Sequence, residues 1–218
     1  MPEKVKRPYQ SELRSTAAEQ TRRQIIDVAR ELFIEDGYAT TSVRQLAEAS
    51  GVAPQTIYNA FGSKFGLFSA VIDTVVAGDH EPIAVADRPG FATLAEMDDP
   101  VAIVEALVAA STEVLGRLSA IYPTLRAAES DPAVADAYRR FALLGRWEDC
   151  RRAVEPLARL DALVDGLGAD EATDIVWATL SPDAFQLLVV ERGWTPERFA
   201  DHAASALSAT LLGRLAPR

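Results

Sequence analysis

The sequence holds one cysteine, Cys150, among its 218 residues. A single cysteine cannot close a disulfide within the chain, so nothing in the composition indicates an oxidising compartment. No apolar run approaches the roughly 18 residues that suggest a membrane-spanning helix. The opening residues MPEKVKRPYQSELR carry charge with no apolar stretch behind them, unlike a signal peptide. We therefore expect a cytoplasmic protein.

Residues suited to catalysis are also scarce. The two histidines, His80 and His202, lack the nearby cysteines or spaced carboxylates of a metal site. No glycine-rich phosphate loop is present. Cys150 lies in RWEDCRRA, where adjacent arginines can lower the pKa of a thiol, although a structural thiol is the simpler interpretation. We predict that the chain is not an enzyme and needs no metal or cofactor.

What the sequence has in abundance is apolar helix-forming residues. Aromatic residues make up 7% of the chain, whereas 49% is apolar and dominated by alanine and leucine. This composition favours helices over sheets, and we predict an all-α fold of about nine helices. The net charge of −10 is uneven, because residues 1–64 hold 9 basic and 8 acidic side chains, and residues 65–218 hold 13 and 24. The asymmetry predicts two domains, 1–77 and 78–218.

The first domain shows short helices around a glycine turn. A loose arm is expected over 1–17. Apolar periodicity then predicts helices over about 16–36, from Thr41 or Ser42, from Pro54, and over about 63–77. The second and third are shorter than the roughly 12–15 residues at which an isolated helix is marginal in water. Gly51 permits a tight turn between them, and a helix-turn-helix that packs on the first helix explains the pattern.

The third helix has a polar outer face. At 100° per residue, Ile57 and Phe61 point inward, whereas Gln55, Tyr58 and Asn59 point outward. Asparagine and glutamine pair with adenine edges, and threonine contacts a thymine methyl. Hydroxyl groups and free N–H groups at helix starts bind phosphates. The residues predicted to contact DNA are Thr41, Ser42, Arg44, Gln55, Thr56, Tyr58, Asn59 and Lys64.

Residues 40–72 carry a recognisable pattern. A Thr-Thr entry is followed by Ala-x-x-x-Gly-Val, Tyr-x-x-Phe and Ser-Lys, which start here at Thr40, Ala47, Tyr58 and Ser63. This pattern resembles the DNA-binding domain of the TetR-family transcriptional regulators, and the resemblance covers about residues 20–76. Two positions depart from it.

Ala53 stands where many members have a serine or threonine cap, and Ala60 where many have histidine. The resemblance implies a regulator, usually a repressor, that binds a pseudo-palindromic operator as a homodimer. It also implies that a small molecule controls DNA binding.

The second domain carries no comparable signature. Helices are predicted over about 100–118, 121–128, 132–162 with a bend near Pro156, 170–192 and 196–215. Aromatic side chains there suggest a ligand pocket, for which the candidates are Tyr122, Phe141, Trp147 and Trp177. Apolar stripes on the last two helices predict a dimer interface formed by Phe185, Leu188, Val189, Phe199, Ala203, Ala206, Leu207, Thr210 and Leu211.

Two alternatives remain open from the sequence. In the first, the chain is a helical adaptor that keeps the helix-turn-helix only for packing. In the second, it is an enzyme with an unrecognised pocket. DNA binding that weakens steeply with salt distinguishes the regulator from both.

Overall fold

A computed structural model describes residues 9–81 and 83–213, apart from the side chains of 9–15, 141 and 142. Within these residues every regular element is helical, as the composition predicted. The α-helices are α1 Tyr9–Asp36, α2 Val43–Ala49, α3 Pro54–Phe61, α4 Lys64–Ala77, α5 Pro89–Ala92, α6 Pro100–Leu118, α7 Tyr122–Ala128, α8 Pro132–Ala137, α9 Arg146–Arg159, α10 Ala169–Thr179, α11 Pro182–Phe185 and α12 Pro196–Leu212.

Two compact units divide the chain, Met1–Asp73 and Thr74–Arg218, with the boundary inside α4. In the first unit, the predicted stripe of α1 is buried, with Ile25, Ala29 and Phe33 at 0% exposure. The helix α1 already begins at Tyr9, so the loose arm expected over 1–17 is wrong for residues 9–17. Residues 1–8 lie outside the described residues.

The second unit is built around two helix pairs. Helix α6 packs against α12, and α9 packs against α10. Asp99 caps α6, accepting hydrogen bonds from the N–H groups of Val101 (2.9 Å) and Ala102 (3.4 Å). Thr195 likewise caps α12 through the N–H of Arg198 at 3.2 Å.

Two predicted long helices are interrupted. A continuous helical run covers α8 and α9, and a π-helix at Tyr138–Gly145 interrupts its α-helical geometry. Pro156, near which a bend was predicted, lies inside α9. The helix predicted over 170–192 ends at Thr179 and restarts at Pro182, because the Ser181 side chain caps the new helix. A second π-helix, Gln186–Glu191, follows α11. Short 3-10 turns flank α5 at Val85–Asp87 and Thr93–Glu96.

Among the described residues, no single helix has both the length and the apolar character needed to cross a membrane. The helices α3 and α4, bent by 65° at their junction, pass that test only as a pair. In the same part of the chain, no group of three or more histidine, cysteine, aspartate or glutamate side chains is placed to hold a metal ion.

Candidate DNA-binding and ligand sites

The start of α2 is fixed by a capping box. The Ser42 hydroxyl accepts from the N–H of Gln45 at 3.2 Å, and the Gln45 side chain accepts from the N–H of Ser42 at 2.8 Å. Ser42 and Arg44 are exposed, as a DNA contact requires. Thr41 is only 1% exposed, and its hydroxyl donates to the Gly37 carbonyl at 2.7 Å. The predicted DNA contact through the Thr41 side chain is therefore wrong.

The turn between α2 and α3 is a Schellman motif. The N–H of Val52 donates to Ala47 O at 2.9 Å, and the N–H of Gly51 donates to Glu48 O at 3.2 Å. Gly51 has a φ of +68°, a conformation that residues with a Cβ rarely adopt. The predicted glycine turn therefore sets the path from one short helix to the next.

The outer face of α3 carries the polar side chains that the sequence placed there. Gln55, Tyr58 and Asn59 are exposed, Tyr58 at 46%, while Thr56 is half-buried and Ile57 is fully buried. The Gln55 amide nitrogen donates to the Asn59 side-chain oxygen at 2.9 Å, so the two amides form one preorganised unit. Ala53 provides no side-chain hydrogen bond to the start of α3.

Two residues of α1 that the sequence analysis missed hold the ends of α2 and α3. Arg22 donates to Ala60 O at 2.8 Å, and its guanidinium lies 4.3 Å from the centre of the Phe61 ring. Gln24 donates to Ser50 O at 3.2 Å. These side chains satisfy carbonyls at the C-terminal ends of the two helices. The period of α1 identified its apolar face but could not assign partners to its polar face.

Lys64 has a structural role that the sequence analysis did not predict. Its ammonium donates to Tyr38 O at 2.9 Å and to Thr41 O at 3.1 Å, and it lies 4.2 Å from the centre of the Tyr38 ring. Tyr38 is buried against Phe68, with ring centres 4.8 Å apart. Lys64 thus ties the α1–α2 loop to α4, while its predicted contact with DNA stays a prediction.

The junction of α3 and α4 depends on a glycine that the sequence analysis did not single out. A Cβ on Gly66 would lie 2.0 Å from the Phe61 carbonyl oxygen, far inside van der Waals contact. The first turn of α4 can approach the end of α3 only because this position has no side chain. The only sequence signal was a glycine within the first turn of a predicted helix.

Comparison with known proteins supports this geometry. Residues 25–71 match the family model described as bacterial regulatory proteins, tetR family, a span that contains α2, the turn and α3. The match identifies the first unit as a TetR-type DNA-binding domain, as the motif pattern predicted.

Several TetR-family proteins resemble the chain over different lengths. The transcriptional repressor BdcR of Escherichia coli is 38% identical over 77 residues, which are 34% of this chain and 39% of BdcR. The regulator UidR of Escherichia coli is 27% identical over 55% of this chain and 58% of UidR. A transcriptional regulator from Saccharomonospora viridis, solved with choline, has a TM-score of 0.65 at 19% identity, covering 90% of this chain and all of that one. The chain thus spans about two fifths of BdcR and three fifths of UidR. These relatives are regulators, in agreement with the expectation that the chain is not an enzyme.

The second unit brings together two of the four predicted ligand residues. Tyr122 is 3% exposed, and its hydroxyl lies 3.4 Å from the Tyr138 hydroxyl. Burial and hydrogen bonds to Tyr138 and Asp183 raise the pKa of Tyr122 above its ordinary value. The charge of the half-buried Arg146 interacts with both tyrosines, and Arg146 donates to Trp177 O at 2.8 Å.

The other two predicted ligand residues stand apart. Trp147 is half-buried, and its indole N–H donates to Asp174 at 2.7 Å, so it braces α9 against α10. The side chain of Phe141 lies outside the described residues. An open groove of about 330 Å³ runs between α6 and α12 and is lined by residues that include Thr112, Glu113 and Ala200; Tyr122, Trp147 and Trp177 do not line it.

The predicted dimer interface is mostly core of the single chain. Five of its residues are at most 2% exposed, which corrects their assignment as partner contacts: Phe185, Phe199, Ala203, Leu207 and Leu211. Leu188, Val189 and Ala206 are half-buried, and Thr210 is exposed. The structure instead exposes Leu187 by 62% and Val190 by 50%, both in the second π-helix. The sequence pattern showed a helix apolar on several sides but could not tell which side faces its own bundle.

Proposed function

We propose that this chain is a ligand-responsive repressor of transcription that binds a pseudo-palindromic DNA operator as a homodimer. The observation that carries the proposal is the exposed Gln55–Asn59 amide pair on α3, held by the packing of a TetR-type helix-turn-helix. BdcR, which is 38% identical to this chain over 77 residues, is itself named a repressor.

The amide pair has the chemistry to recognise a base. Because one amide hydrogen bond is internal, Asn59 retains an N–H₂ donor and Gln55 retains a carbonyl acceptor for an outside partner. Adenine offers the complementary acceptor N7 and donor N6 in the major groove. Helix α3 contains no acidic residue that would repel the phosphates, and Tyr58 and Arg44 lie exposed for backbone contacts.

Selection of bound duplexes from random DNA tests the readout. We expect one preferred sequence, and Gln55→Ala or Asn59→Ala should each weaken binding to it by about 1–3 kcal/mol with little effect on random DNA. Gln20→Ala removes the same side chain from an exposed position on α1 and serves as the matched control. Unchanged preference in both α3 variants would reject this face as the reading surface.

The homodimer is proposed on the apolar patch of the second π-helix. The patch consists of the exposed Leu187 and Val190 together with the half-buried Leu188. Exposed aliphatic side chains on adjacent turns are costly in water and are typical of a surface that a second chain covers. Two-fold pairing also doubles the contacts of a single helix-turn-helix with DNA.

Analytical ultracentrifugation of the Leu187→Glu, Val190→Glu double variant tests the interface. We expect the wild type to sediment as a dimer at micromolar concentration and the variant as a monomer with unchanged helix content and weakened operator binding. Ile34→Glu, a change at another exposed aliphatic residue, is the control. A monomeric wild type would exclude this interface.

The proposed effector site is the cluster around Tyr122 and Trp177. The structurally similar protein from Saccharomonospora viridis was solved with a small molecule, choline. A ligand regulates DNA binding only if it binds two states of the protein unequally. Titration of small molecules against the fluorescence of Trp177, in a chain whose other two tryptophans are changed to phenylalanine, measures binding there.

A further inference from the structure

Arg146 is a half-buried cation of the second unit that no described carboxylate pairs with. Its guanidinium donates to the backbone oxygen of Trp177 at 2.8 Å and lies 4.7 Å from the centre of the Trp177 ring. Within the described residues, no ion pair joins Arg146 to an acidic side chain. Removing an arginine from water without a counter-charge is unfavourable, and burial accordingly lowers the pKa of Arg146.

The groups near Arg146 do not supply the missing charge. Asp183, the acidic residue whose charge reaches Arg146, is exposed and forms its hydrogen bond with Tyr122. Burial raises the pKa of the Tyr122 phenol, which is therefore neutral at pH 7. Cys150, one turn after Arg146, is a neutral thiol because burial raises its pKa to about 11.

A donor without an acceptor lies beside the guanidinium. The indole N–H of Trp177 is buried and has no hydrogen-bond partner. The N–H groups of the guanidinium that do not bind Trp177 O, together with this indole N–H and the Trp177 ring, are complementary to an anion with an aromatic or aliphatic body. The planar guanidinium is particularly suited to a carboxylate, which it can bind through two parallel hydrogen bonds.

We propose that the effector of this chain is a small organic carboxylate whose charged group binds Arg146 and the Trp177 indole N–H, while its apolar body lies against Tyr122. This inference rests on the proposed function, since it names the ligand class of the regulator. It goes beyond the sequence-based expectation of a small-molecule effector, because it assigns a charge and an anchoring residue.

Paired ligands with and without charge test the proposal on the full chain. The probes are benzoate, 2-naphthoate and octanoate, each compared with its primary amide of nearly the same shape, and the readout is Trp177 fluorescence in the Trp147→Phe, Trp194→Phe background. We expect at least one acid to bind about tenfold or more tightly than its amide, as charge-assisted hydrogen bonds to a guanidinium require.

Variants of Arg146 separate ligand anchoring from a structural role. Arg146→Gln should abolish the preference for the acid, whereas Arg146→Lys should restore part of it. Arg151→Gln changes an exposed arginine of the same helix and should leave the preference intact. Ligand-free Arg146→Gln should melt no lower than wild type, because it removes an uncompensated charge. If no acid binds better than its amide, or if Arg146→Gln keeps the preference, the proposal is overturned.

Operator binding, measured on the same samples without probe, reports on the regulator itself. Loss of acid preference with intact operator binding rejects only the ligand class. Acid preference without any DNA binding rejects the proposed function and leaves the Arg146 site in place.

Discussion

Replacement of Gly66 by alanine gives a direct test of the geometry that holds the recognition helix. The new methyl group would start 2.0 Å from the Phe61 carbonyl oxygen, and an ordinary contact begins near 3.4 Å. The obstructing atom belongs to the backbone, so α3 and α4 must move apart. Overpacking of this kind costs about 1–3 kcal/mol, against about 0.5–1 kcal/mol that alanine gains over glycine in a helix.

We therefore expect Gly66→Ala to destabilise the first unit by about 1–2 kcal/mol, and a unit of this size loses about 4–8 °C in melting temperature per kcal/mol. Gly116→Ala is the matched control, because the same methyl group on α6 meets no atom within 4 Å. It should be neutral or stabilising by up to about 1 kcal/mol.

Thermal unfolding followed by circular dichroism measures both variants. All three tryptophans lie in the second unit, so tryptophan fluorescence follows that unit separately. Operator binding of Gly66→Ala should also fall, since α3 carries the reading face. A Gly66→Ala variant that melts at or above the wild-type temperature would refute the inferred close approach.

Three further predictions concern single side chains. Lys64→Met should lower the free energy of unfolding in urea by about 1–2 kcal/mol, because two hydrogen bonds to carbonyls and the contact with the Tyr38 ring are lost. Arg44→Met, a change at an exposed residue, should leave the free energy of unfolding nearly unchanged and weaken DNA binding. Ser42→Ala should cost about 1 kcal/mol through loss of the capping box, measured in the same way. The Cys150 thiol should react slowly with alkylating reagents at pH 8 and faster toward pH 11. Because the pKa of this thiol is raised in the folded state, its contribution to stability is present below pH 9 and lost as the pH rises toward 11. Cys150→Ala should therefore reduce the fall in melting temperature at alkaline pH.

The sequence determines the local features of this chain well. Ser42, Gly51 and Pro54 predicted the helix ends of the first unit, because caps and turns depend on the residues nearest to them. The outward placement of Gln55 and Asn59 followed from helical period alone, and the periodicity also predicted which face of α1 is buried.

Features that depend on contacts between distant residues could not be predicted in this way. The partners of Lys64 are 23 and 26 residues away, and only the folded chain shows that they capture its ammonium. The stripe on α12 looked like a dimer surface because periodicity identifies an apolar face but not the chain that covers it. Ser181-Pro182 is a sequence typical of a helix start. The apolar periodicity on both sides of it nevertheless predicted one continuous helix.

The π-helix Tyr138–Gly145 has a consequence for how the Arg146 site tolerates change. A π-helix turns less per residue than the roughly 100° of an α-helix, because its hydrogen bonds join residues five apart. Converting these eight residues to α-helix would therefore turn everything after them about the helix axis. Arg146, which follows directly, would then swing away from Trp177 although every side chain of α9 remained. The direction of the guanidinium thus depends on how the preceding segment is wound, so a substitution that favours the α-helical form there would disturb the site without touching it.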